Sequence, residues 1–321
     1  MDASPLLAQR MDVQGLGSRK FASVLEAVET LGAVQAQDYP GAQWGLGQRL
    51  TRVTYRDVDK AFDKGKILRT HVMRPTWHLV SSKDIRWMLA LSSEKIKRTM
   101  KPYHASLGLS ETTFETSNRI ISKILQGENF LTRKEMANEL KKNGVTTNGM
   151  GMSFITSRAE QEGIICSGPL KGNQFTYALL DERAASKKTF SREEGLGKLA
   201  WRYFSGHGPA TLRDFSWWSG LSLGDARLGL QGAEKKLKKE EWEGNTYYFD
   251  SRFSKEKEMR ERVWLLPNYD EYTIGYWSKG ALYLSGKNPL SFAGGYYHAI
   301  VKGGMVEGMW RRETKKDKVI I

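Results

Sequence analysis

The chain has 321 residues, 40% of them hydrophobic, which is enough for two or three domains with apolar cores. Lysine and arginine number 50 against 36 aspartates and glutamates, and the pI near 9.6 favours a polyanionic partner. A single cysteine, Cys166, excludes an intrachain disulfide and a thiolate metal cluster. No apolar run approaches the roughly 18 residues of a membrane span, and no signal-peptide pattern is present, so we expect a cytoplasmic protein.

The positive charge is concentrated in the first third of the chain, where residues 1–110 carry a net charge of +7 and residues 111–185 are neutral. Apolar residues from Phe21 to Leu31 have the spacing of one buried helix face, and Gly32 is typical of a helix end. If the backbone that follows is extended, Gln35 and Gln37 share one side of it. Two amides on one side favour binding of a small polar group such as a water molecule.

The next elements form a winged-helix pattern. A short helix is predicted from Tyr55 to Phe62, followed by a β-hairpin over residues 66–80 that turns at Arg74-Pro75 and by a helix over residues 83–101. An even-numbered hairpin loop places His71 opposite His78 and Val72 opposite Trp77. It also places the polar side chains on one face, namely Arg69, His71 and His78.

Two further segments repeat this order of helices and hairpin. The first has three predicted helices. They lie at 111–126, from a capping box at Thr132 to about residue 142, and at 150–161, and a hairpin over 164–178 follows them. After a polar linker at 181–188, the second has predicted helices at 193–204, 211–218 and 223–239 and a hairpin near 242–249.

The chain then changes to short apolar runs rich in glycine and tyrosine, which favours a small β-barrel. The predicted strands are 263–266, 281–284, 296–301 and 305–310. Residues 318–321 read as the start of another strand, which leaves open that a C-terminal piece is missing. The predicted fold is therefore α+β, with three tandem winged-helix units around a cleft, at 1–108, 109–185 and 186–262, and a β-barrel domain at 263–321.

Four blocks of the sequence together resemble the AlkZ-like family of tandem winged-helix DNA glycosylases. They are Val34-Gln-Ala-Gln37, the hairpin from Leu68 to His78, Asp214-Phe-Ser-Trp-Trp-Ser-Gly-Leu221 and Leu265-Leu-Pro-Asn-Tyr-Asp-Glu-Tyr272. The resemblance implies three winged-helix units and a barrel around a cleft, and hydrolysis of the N-glycosidic bond of alkylated purines. It implies that Gln35 and Gln37 are the catalytic residues, because the family motif is glutamine, apolar residue, glutamine.

The chemistry of two amides agrees with that reading. Ordinary glycoside hydrolysis uses two carboxylates, one of which protonates the leaving group. An N7-alkylated guanine is already cationic and needs no such acid, so two neutral amides suffice to hold the attacking water and support the developing positive charge. We therefore predict a monofunctional glycosylase for labile, cationic alkylated purines of the N7-alkylguanine type in duplex DNA. The resemblance also implies interstrand crosslinks as substrates, which some members of the family process.

Other residues are weaker candidates. Arg69, His71, Arg74 and His78 are predicted to contact DNA, with a solvated hairpin face as the alternative. Asp38 and Asp270 are cleft candidates, although an extended backbone makes Asp38 a capping or surface residue. Five histidines without ligand spacing predict no metal, and Gly45-Leu46-Gly47 and Gly294-Gly295 are wrongly placed for a nucleotide cofactor.

The alternative function is a non-catalytic winged-helix DNA-binding protein such as a transcription regulator, because fold alone does not decide function. A regulator concentrates base-reading residues on a recognition helix, whereas the predicted helix at 150–161 has Glu160 and is followed by Glu162. An RNA-binding protein lacks support, since no aromatic RNA-binding motif is present. We expect a monomer that binds duplex DNA without a cofactor.

Overall fold

The computed structural model describes residues 4–184, 188–251, 262–278, 282, 298–315 and 318–321. It divides into two compact units. Unit 1 comprises Met1–Tyr55 and Leu196–Ile321, and unit 2 comprises Arg56–Gly195. The boundary at residue 55 lies inside the first predicted winged-helix unit, and the bounds of the four predicted domains stay predictions.

The secondary structure mixes helices and short antiparallel strands, which confirms the α+β class. Up to the end of unit 2, the elements in chain order are α1 (Ser4–Val13), α2 (Val24–Leu31), β1 (Val34–Gln35), α3 (Tyr39–Gln48), α4 (Tyr55–Asp63), β2 (Ile67–His71), β3 (Trp77–Ser81), α5 (Ile85–Ser106), α6 (Glu111–Ile124), β4 (Leu131–Thr132), α7 (Arg133–Lys142), α8 (Gly149–Gln161), β5 (Ile165–Ser167), β6 (Thr176–Leu179) and α9 (Leu180–Arg183). The elements that follow are α10 (Arg192–His207), α11 (Leu212–Ser219), α12 (Leu223–Ala233), β7 (Leu237–Trp242), β8 (Asn245–Asp250), β9 (Val263–Leu266), α13 (Glu271–Ile274), β10 (Ala299–Lys302), β11 (Met305–Met309), β12 (Glu313–Lys315) and β13 (Lys318–Ile320).

Unit 2 contains the clearest winged-helix arrangement. Helices α6, α7 and α8 precede the hairpin of β5 and β6, and β4 pairs with β6 on the other side. The predicted capping box at the start of α7 is confirmed, because Thr132 and Glu135 exchange side-chain and backbone hydrogen bonds. The three helices bury a common apolar core that includes Phe114, Ile121, Met136, Leu140 and Ile155.

The predicted register of the first hairpin was wrong. Strands β2 and β3 pair His71 with Trp77 and Thr70 with His78, so the loop between them, residues 72–76, has an odd number of residues. Met73 takes a left-handed conformation in that loop, with φ of 65°. Because directly opposed residues share a face of a sheet, His71 and His78 lie on opposite faces, not together as predicted.

The helix predicted over 223–239 was also too long. Helix α12 ends at Ala233, and after a short 3₁₀ turn the chain enters β7. This strand pairs with β8, with Leu237 opposite Asp250 at one end and Trp242 opposite Asn245 at the other. Lys238 and Lys239 therefore lie on a strand and not at a helix end. The other predicted helices of this segment correspond to α10 and α11, and the break falls after His207 at a cis Gly208–Pro209 bond.

The C-terminal part of unit 1 contains an antiparallel sheet in the order β11-β10-β9 and a separate β12-β13 pair. Helix α1 packs on the sheet through Leu7 and Met11, in a core shared with Leu266 and Val301. The predicted strands at 263–266 and 305–310 are confirmed as β9 and β11. The predicted strand at 281–284, apart from Leu282, residues 296–297 and Gly294-Gly295 lie outside the described residues, as do residues 185–187 of the predicted linker. Barrel closure stays a prediction.

The sequence patterns did not predict α1 or α3. In α1, Gln9 and Arg10 are buried beside the apolar residues, so no hydrophobic periodicity is visible. In α3, Pro40 and three glycines lower the helix propensity. The start of α3 nevertheless carries a standard signal, an aspartate at the N-cap followed by proline in the first turn.

Candidate active site

The Gln35 segment connects two helices of unit 1. Helix α2 ends at Gly32, which has φ of 78°, as the sequence predicted. The chain then forms the two-residue strand β1 and enters α3 after Asp38. A Cβ atom on Gly32 would lie 3.2 Å from Cη2 of Trp218, so this residue is glycine for reasons of both conformation and space.

The two glutamines of this segment differ in exposure. Gln35 is 6% exposed, whereas Gln37 is exposed to solvent. The paired strand β1 ends at Gln35, and Asp38 at the start of α3 has extended backbone angles, with φ of −99° and ψ of 95°. Convergence of the two amides on one water stays a prediction.

The backbone of Gln35 is bonded to a buried glutamate. Its N–H donates to Oε1 of Glu271 at 2.8 Å, and the indole N–H of Trp218 donates to Oε2 of the same carboxylate at 2.9 Å. Glu271 is 2% exposed and begins the one-turn helix α13. The carboxylate therefore joins the strand β1 to helix α11 by two buried hydrogen bonds.

His207, the last residue of α10, lies beside the same carboxylate. Its Nε2 is 3.5 Å from Oε2 of Glu271, and its ring stacks on Tyr203 with centroids 4.8 Å apart. The hydroxyl of Tyr276 donates to the backbone oxygen of His207 at 2.7 Å. His207 is completely buried, and within the described part of the chain neither ring nitrogen makes a hydrogen bond.

Asp270 is engaged in a buried ion pair. Its two carboxylate oxygens accept hydrogen bonds from Nη1 and Nη2 of Arg49 at 2.8 and 2.7 Å, and both side chains are 2% exposed. A Cβ atom on Gly45 would lie 2.9 Å from Oδ2 of Asp270, so the glycine allows α3 to approach this loop. Asp270 thus fixes the loop that carries Glu271.

Asp38 is the N-cap of α3, and its Oδ1 accepts from the N–H of Gly41 at 3.2 Å. The capping role expected for Asp38 is therefore confirmed. Gln35 also lines a cavity of about 10 Å³ with Arg49, Asp270 and Glu271, close to the lower limit for one water molecule. That cavity is far too small for a nucleobase.

Lys20, in unit 1, is a partly buried lysine whose ammonium group contacts backbone oxygens and an aromatic ring. Its ammonium donates to the backbone oxygens of Gly15 and Gln48 at 2.7 and 2.9 Å and lies over the ring of Trp264. Partial burial, then the nearby charges of Arg49 and Arg262, lowers the pKa of Lys20 from 10.5 to about 8. Such a pKa is compatible with nucleophilic lysines, but the contacts hold this one to the backbone.

The four residues predicted to contact DNA lie in unit 2. The guanidinium of Arg69 packs over the rings of Trp77 and Phe175, with 4.1 and 4.4 Å to their centroids. His71 donates its backbone N–H to Oε2 of buried Glu160 at 2.9 Å, and its Nδ1 lies 2.5 Å from the same oxygen.

The other two hairpin residues differ from each other in burial. His78 is completely buried, with Nδ1 at 2.9 Å from the backbone oxygen of Thr76, whereas Arg74 is only partly buried. These contacts give Arg69, His71 and His78 structural roles, and the predicted DNA contacts of all four residues stay predictions. Cys166 is buried, which raises the pKa of its thiol to about 12.

Sequence reasoning gave no role to Arg49 or His207 and treated Trp218 as packing. None of them has a local sequence signal, because each acts on a carboxylate more than 50 residues away in the chain. Among the described residues, no group of three or more His, Cys, Asp or Glu side chains is placed to hold a metal ion. In the same part of the chain, no helix combines the length and apolarity needed to cross a membrane.

Comparison with known proteins identifies a matching family, a relative and a solved structure. A family model described as DNA glycosylase AlkZ-like matches residues 28–321. A Streptomyces sahachiroi protein named interstrand DNA cross-link repair glycosylase is 24% identical over 321 residues, covering 95% of this chain and 86% of the relative. The solved structure of Streptomyces sahachiroi DNA glycosylase AlkZ superposes with a TM-score of 0.80 at 21% identity, over 99% of this chain and 90% of that chain. The structural match shows a shared fold.

Proposed function

Because the chain belongs to the AlkZ-like DNA glycosylase family, we propose that it hydrolyses the N-glycosidic bond of cationic alkylated purines in duplex DNA, with Gln35 and Gln37 as catalytic residues. The enzyme class follows from the family; the lesion class and the two catalytic residues are the proposal. The excess of 50 basic over 36 acidic residues supports a DNA partner.

The observation that carries the proposal is the state of the carboxylates around the Gln35 segment. Asp38 caps a helix, Asp270 is paired with Arg49, and Glu271 accepts from Gln35 and Trp218. Each of these carboxylates is engaged in a structural contact, two of them in buried ones. This supports an amide, not a carboxylate, as the group that holds the attacking water.

An amide pair restricts the reaction to good leaving groups. Water attacks C1′, the C1′–N9 bond breaks, and its electron pair neutralises the cationic purine, while the water loses a proton to solvent. The amide carbonyl accepts a hydrogen bond from the water, and the amide dipoles stabilise the oxocarbenium charge. No acid is needed, so an uncharged purine, which requires protonation, is a poor substrate.

The different exposure of the two glutamines supports a division of roles. Gln35 is buried and its backbone is fixed by Glu271, which suits precise placement of a water. Gln37 is exposed to solvent, so its side chain is accessible to DNA. Since the cavity beside Gln35 holds only about 10 Å³, the damaged base does not enter it. A reaction without a deep base pocket suits bulky or crosslinked N7 adducts, in line with the name of the Streptomyces sahachiroi relative.

The test is release of N7-methylguanine from methylated duplex DNA under single-turnover conditions. Gln35→Ala and Gln37→Ala are each expected to lower the rate by about 10²-fold or more with DNA affinity retained. Gln43→Ala, a partly buried glutamine on the adjacent helix α3, is the matched control and should keep the parent rate. A duplex with an N7–N7 guanine crosslink extends the same assay.

The rival function, DNA binding without chemistry, predicts no release above the spontaneous rate from either substrate. Full activity in both glutamine variants would instead leave the enzyme class intact and remove these residues from the mechanism. Borohydride trapping addresses the monofunctional assignment, because a Schiff base formed by Lys20 or another lysine would be captured covalently. We expect no trapped adduct.

A further inference from the structure

We infer that Glu271 is the positioning residue of this active site, fixing the peptide of Gln35 through a buried carboxylate that Trp218 and His207 hold in place. The inference rests on the proposed role of Gln35. The carboxylate of Glu271 accepts the backbone N–H of Gln35 at 2.8 Å, and this bond does not require the side-chain amide.

The carboxylate has two oxygens and binds donors from two different elements. Oε1 accepts from the peptide N–H of Gln35 in β1, and Oε2 accepts from the indole N–H of Trp218 in α11. Both bonds are of ordinary hydrogen-bond length and buried, so one side chain joins β1 to α11. Because the two donors bind different oxygens, an amide in its place would turn its NH₂ group towards one of them and lose that bond.

Trp218 holds the Gln35 segment at a second point. Its ring lies against Gly32, where an added Cβ atom would be 3.2 Å from Cη2. Trp218 is completely buried and packs against Tyr203, with ring centroids 5.0 Å apart. One indole therefore contacts the segment at Gly32 by packing and reaches Gln35 through the carboxylate of Glu271.

The surroundings keep the carboxylate in one position. Asp270, the preceding residue, is fixed by Arg49, and the ring of His207 lies 3.5 Å from Oε2 between Tyr203 and the α13 loop. An added Cβ on Gly275 would lie 2.9 Å from Cδ2 of His207, so the loop also closes tightly on the imidazole. Glu271 cannot shift without moving these groups.

The functional consequence is placement of the Gln35 side chain. A catalytic group displaced by about 1 Å loses rate by about 10²-fold even when nothing that touches the substrate is removed. Fixing the peptide plane of Gln35 fixes the starting point of its side chain. Loss of Glu271 should therefore slow chemistry and leave DNA binding intact.

The experiment is a double-mutant cycle between Glu271→Gln and Gln35→Ala, measured as the single-turnover rate of N7-methylguanine release and as duplex affinity. Glu271→Gln keeps the shape and removes one of the two bridging bonds, so the rate should fall by about 10-fold or more with affinity within about 2-fold. If Glu271 acts through Gln35, the double variant is no slower than Gln35→Ala alone. Glu241→Gln, an exposed glutamate on β7, is the control for the substitution itself.

Additive losses in the cycle would overturn the inference, because they would mean that Glu271 affects the rate by a route independent of Gln35. If Gln35→Ala itself keeps the parent rate, the proposed function fails and not merely the inference. A lowered rate in Gln35→Ala with an unchanged rate in Glu271→Gln overturns the inference alone.

If Glu271→Gln does not fold, Trp218→Phe gives the same cycle. It removes the indole N–H and keeps most of the ring, so a smaller loss that again disappears in the Gln35→Ala background is expected. A loss that persists in that background overturns the inference.

Discussion

Each unit contains a buried glutamate that accepts the backbone N–H of a strand residue, but the two glutamates are used differently. In unit 2, Glu160 binds both the backbone and the ring of the same residue, His71. In unit 1, Glu271 binds the backbone of Gln35 and takes its second donor from Trp218. In the first arrangement the side chain of His71 is bonded to the buried glutamate. In the second, the glutamate binds the peptide N–H of Gln35, and its other donor is the side chain of Trp218.

This difference separates two kinds of polar residue in a candidate site. The imidazole of His71 contacts a buried carboxylate, which competes with any contact it makes to DNA. The bond between Gln35 and Glu271 uses the backbone N–H, which any residue except proline has. This bond therefore does not explain why residue 35 is a glutamine. A catalytic role for the Gln35 amide is therefore compatible with its fixed backbone.

The largest effect is expected from removing a charge beside a partner that stays charged. Asp270→Asn leaves the buried guanidinium of Arg49 without its counter-ion, which should lower the free energy of unfolding by about 3–5 kcal/mol. Glu160→Gln keeps an amide oxygen that can still accept the backbone N–H of His71, so a smaller loss of about 1–3 kcal/mol is expected. Urea unfolding followed by circular dichroism measures both. Equal losses of stability in Asp270→Asn and Glu160→Gln would contradict the expectation that a buried carboxylate paired with a permanent charge is the more costly one to neutralise.

The next effect concerns the close approach of α3 to the loop of Asp270. An alanine at Gly45 places a methyl group 2.9 Å from Oδ2 of Asp270, so Gly45→Ala should destabilise the protein by about 1–3 kcal/mol. Gly47, on the same helix, has no atom within 4 Å of the added Cβ. Gly47→Ala should be neutral or stabilise by up to about 1 kcal/mol, because alanine has the higher helix propensity. Comparison of the two melting temperatures tests this, and a stabilising Gly45→Ala would refute it.

Much of the fold was predictable because its signals are local. The end of α2 at Gly32, the capping box at Thr132, and strands β9 and β11 follow from residues close together in the chain. The α3 helix was missed because its glycines serve a tertiary contact with Asp270 and lower the local helix signal. The predicted hairpin register was wrong because the loop has five residues, with Met73 at a positive φ. A methionine gives no sequence signal for that conformation.

The candidate site was predictable only in part, and for the same reason. The resemblance to a known family identified Gln35 and Gln37, and the segment around Asp270 was recognised as part of the pattern. The connections that organise it join residues separated by 221 positions for Arg49 and Asp270 and by 236 for Gln35 and Glu271. Such pairs carry no periodicity or spacing, so a single sequence does not reveal them.

A smaller effect distinguishes the residues of the first hairpin. Arg74 is only partly buried, whereas His71 is tied to Glu160. Arg74→Ala should weaken binding to duplex DNA and reduce the slope of log affinity against log salt by about 1, the value for one phosphate contact. His71→Gln should leave the slope unchanged. Fluorescence anisotropy over a range of salt concentrations measures both, and a reduced slope for His71→Gln would assign DNA contact to the histidine.

The smallest effect is the acid sensitivity of unit 2 at the start of α7. The hydrogen bond from Lys171, then those from the backbone and side chain of Thr132, lowers the pKa of Glu135 from 4.5 to about 2. A depressed carboxylate pKa stabilises the folded state above the unfolded value and loses that contribution as the pH falls from 4.5 towards about 2. Glu135→Gln removes the titration, so the melting temperature of the variant should fall less than that of the parent across this range.

Lys171→Met provides the intermediate case for the same measurement. It removes the largest cause of the lowered pKa and keeps both bonds from Thr132. Its loss of stability across the acid range should therefore lie between those of the parent and of Glu135→Gln. If it matches the parent, the exposed ion pair with Lys171 contributes nothing measurable, and the helix cap alone determines the acid response of this helix start.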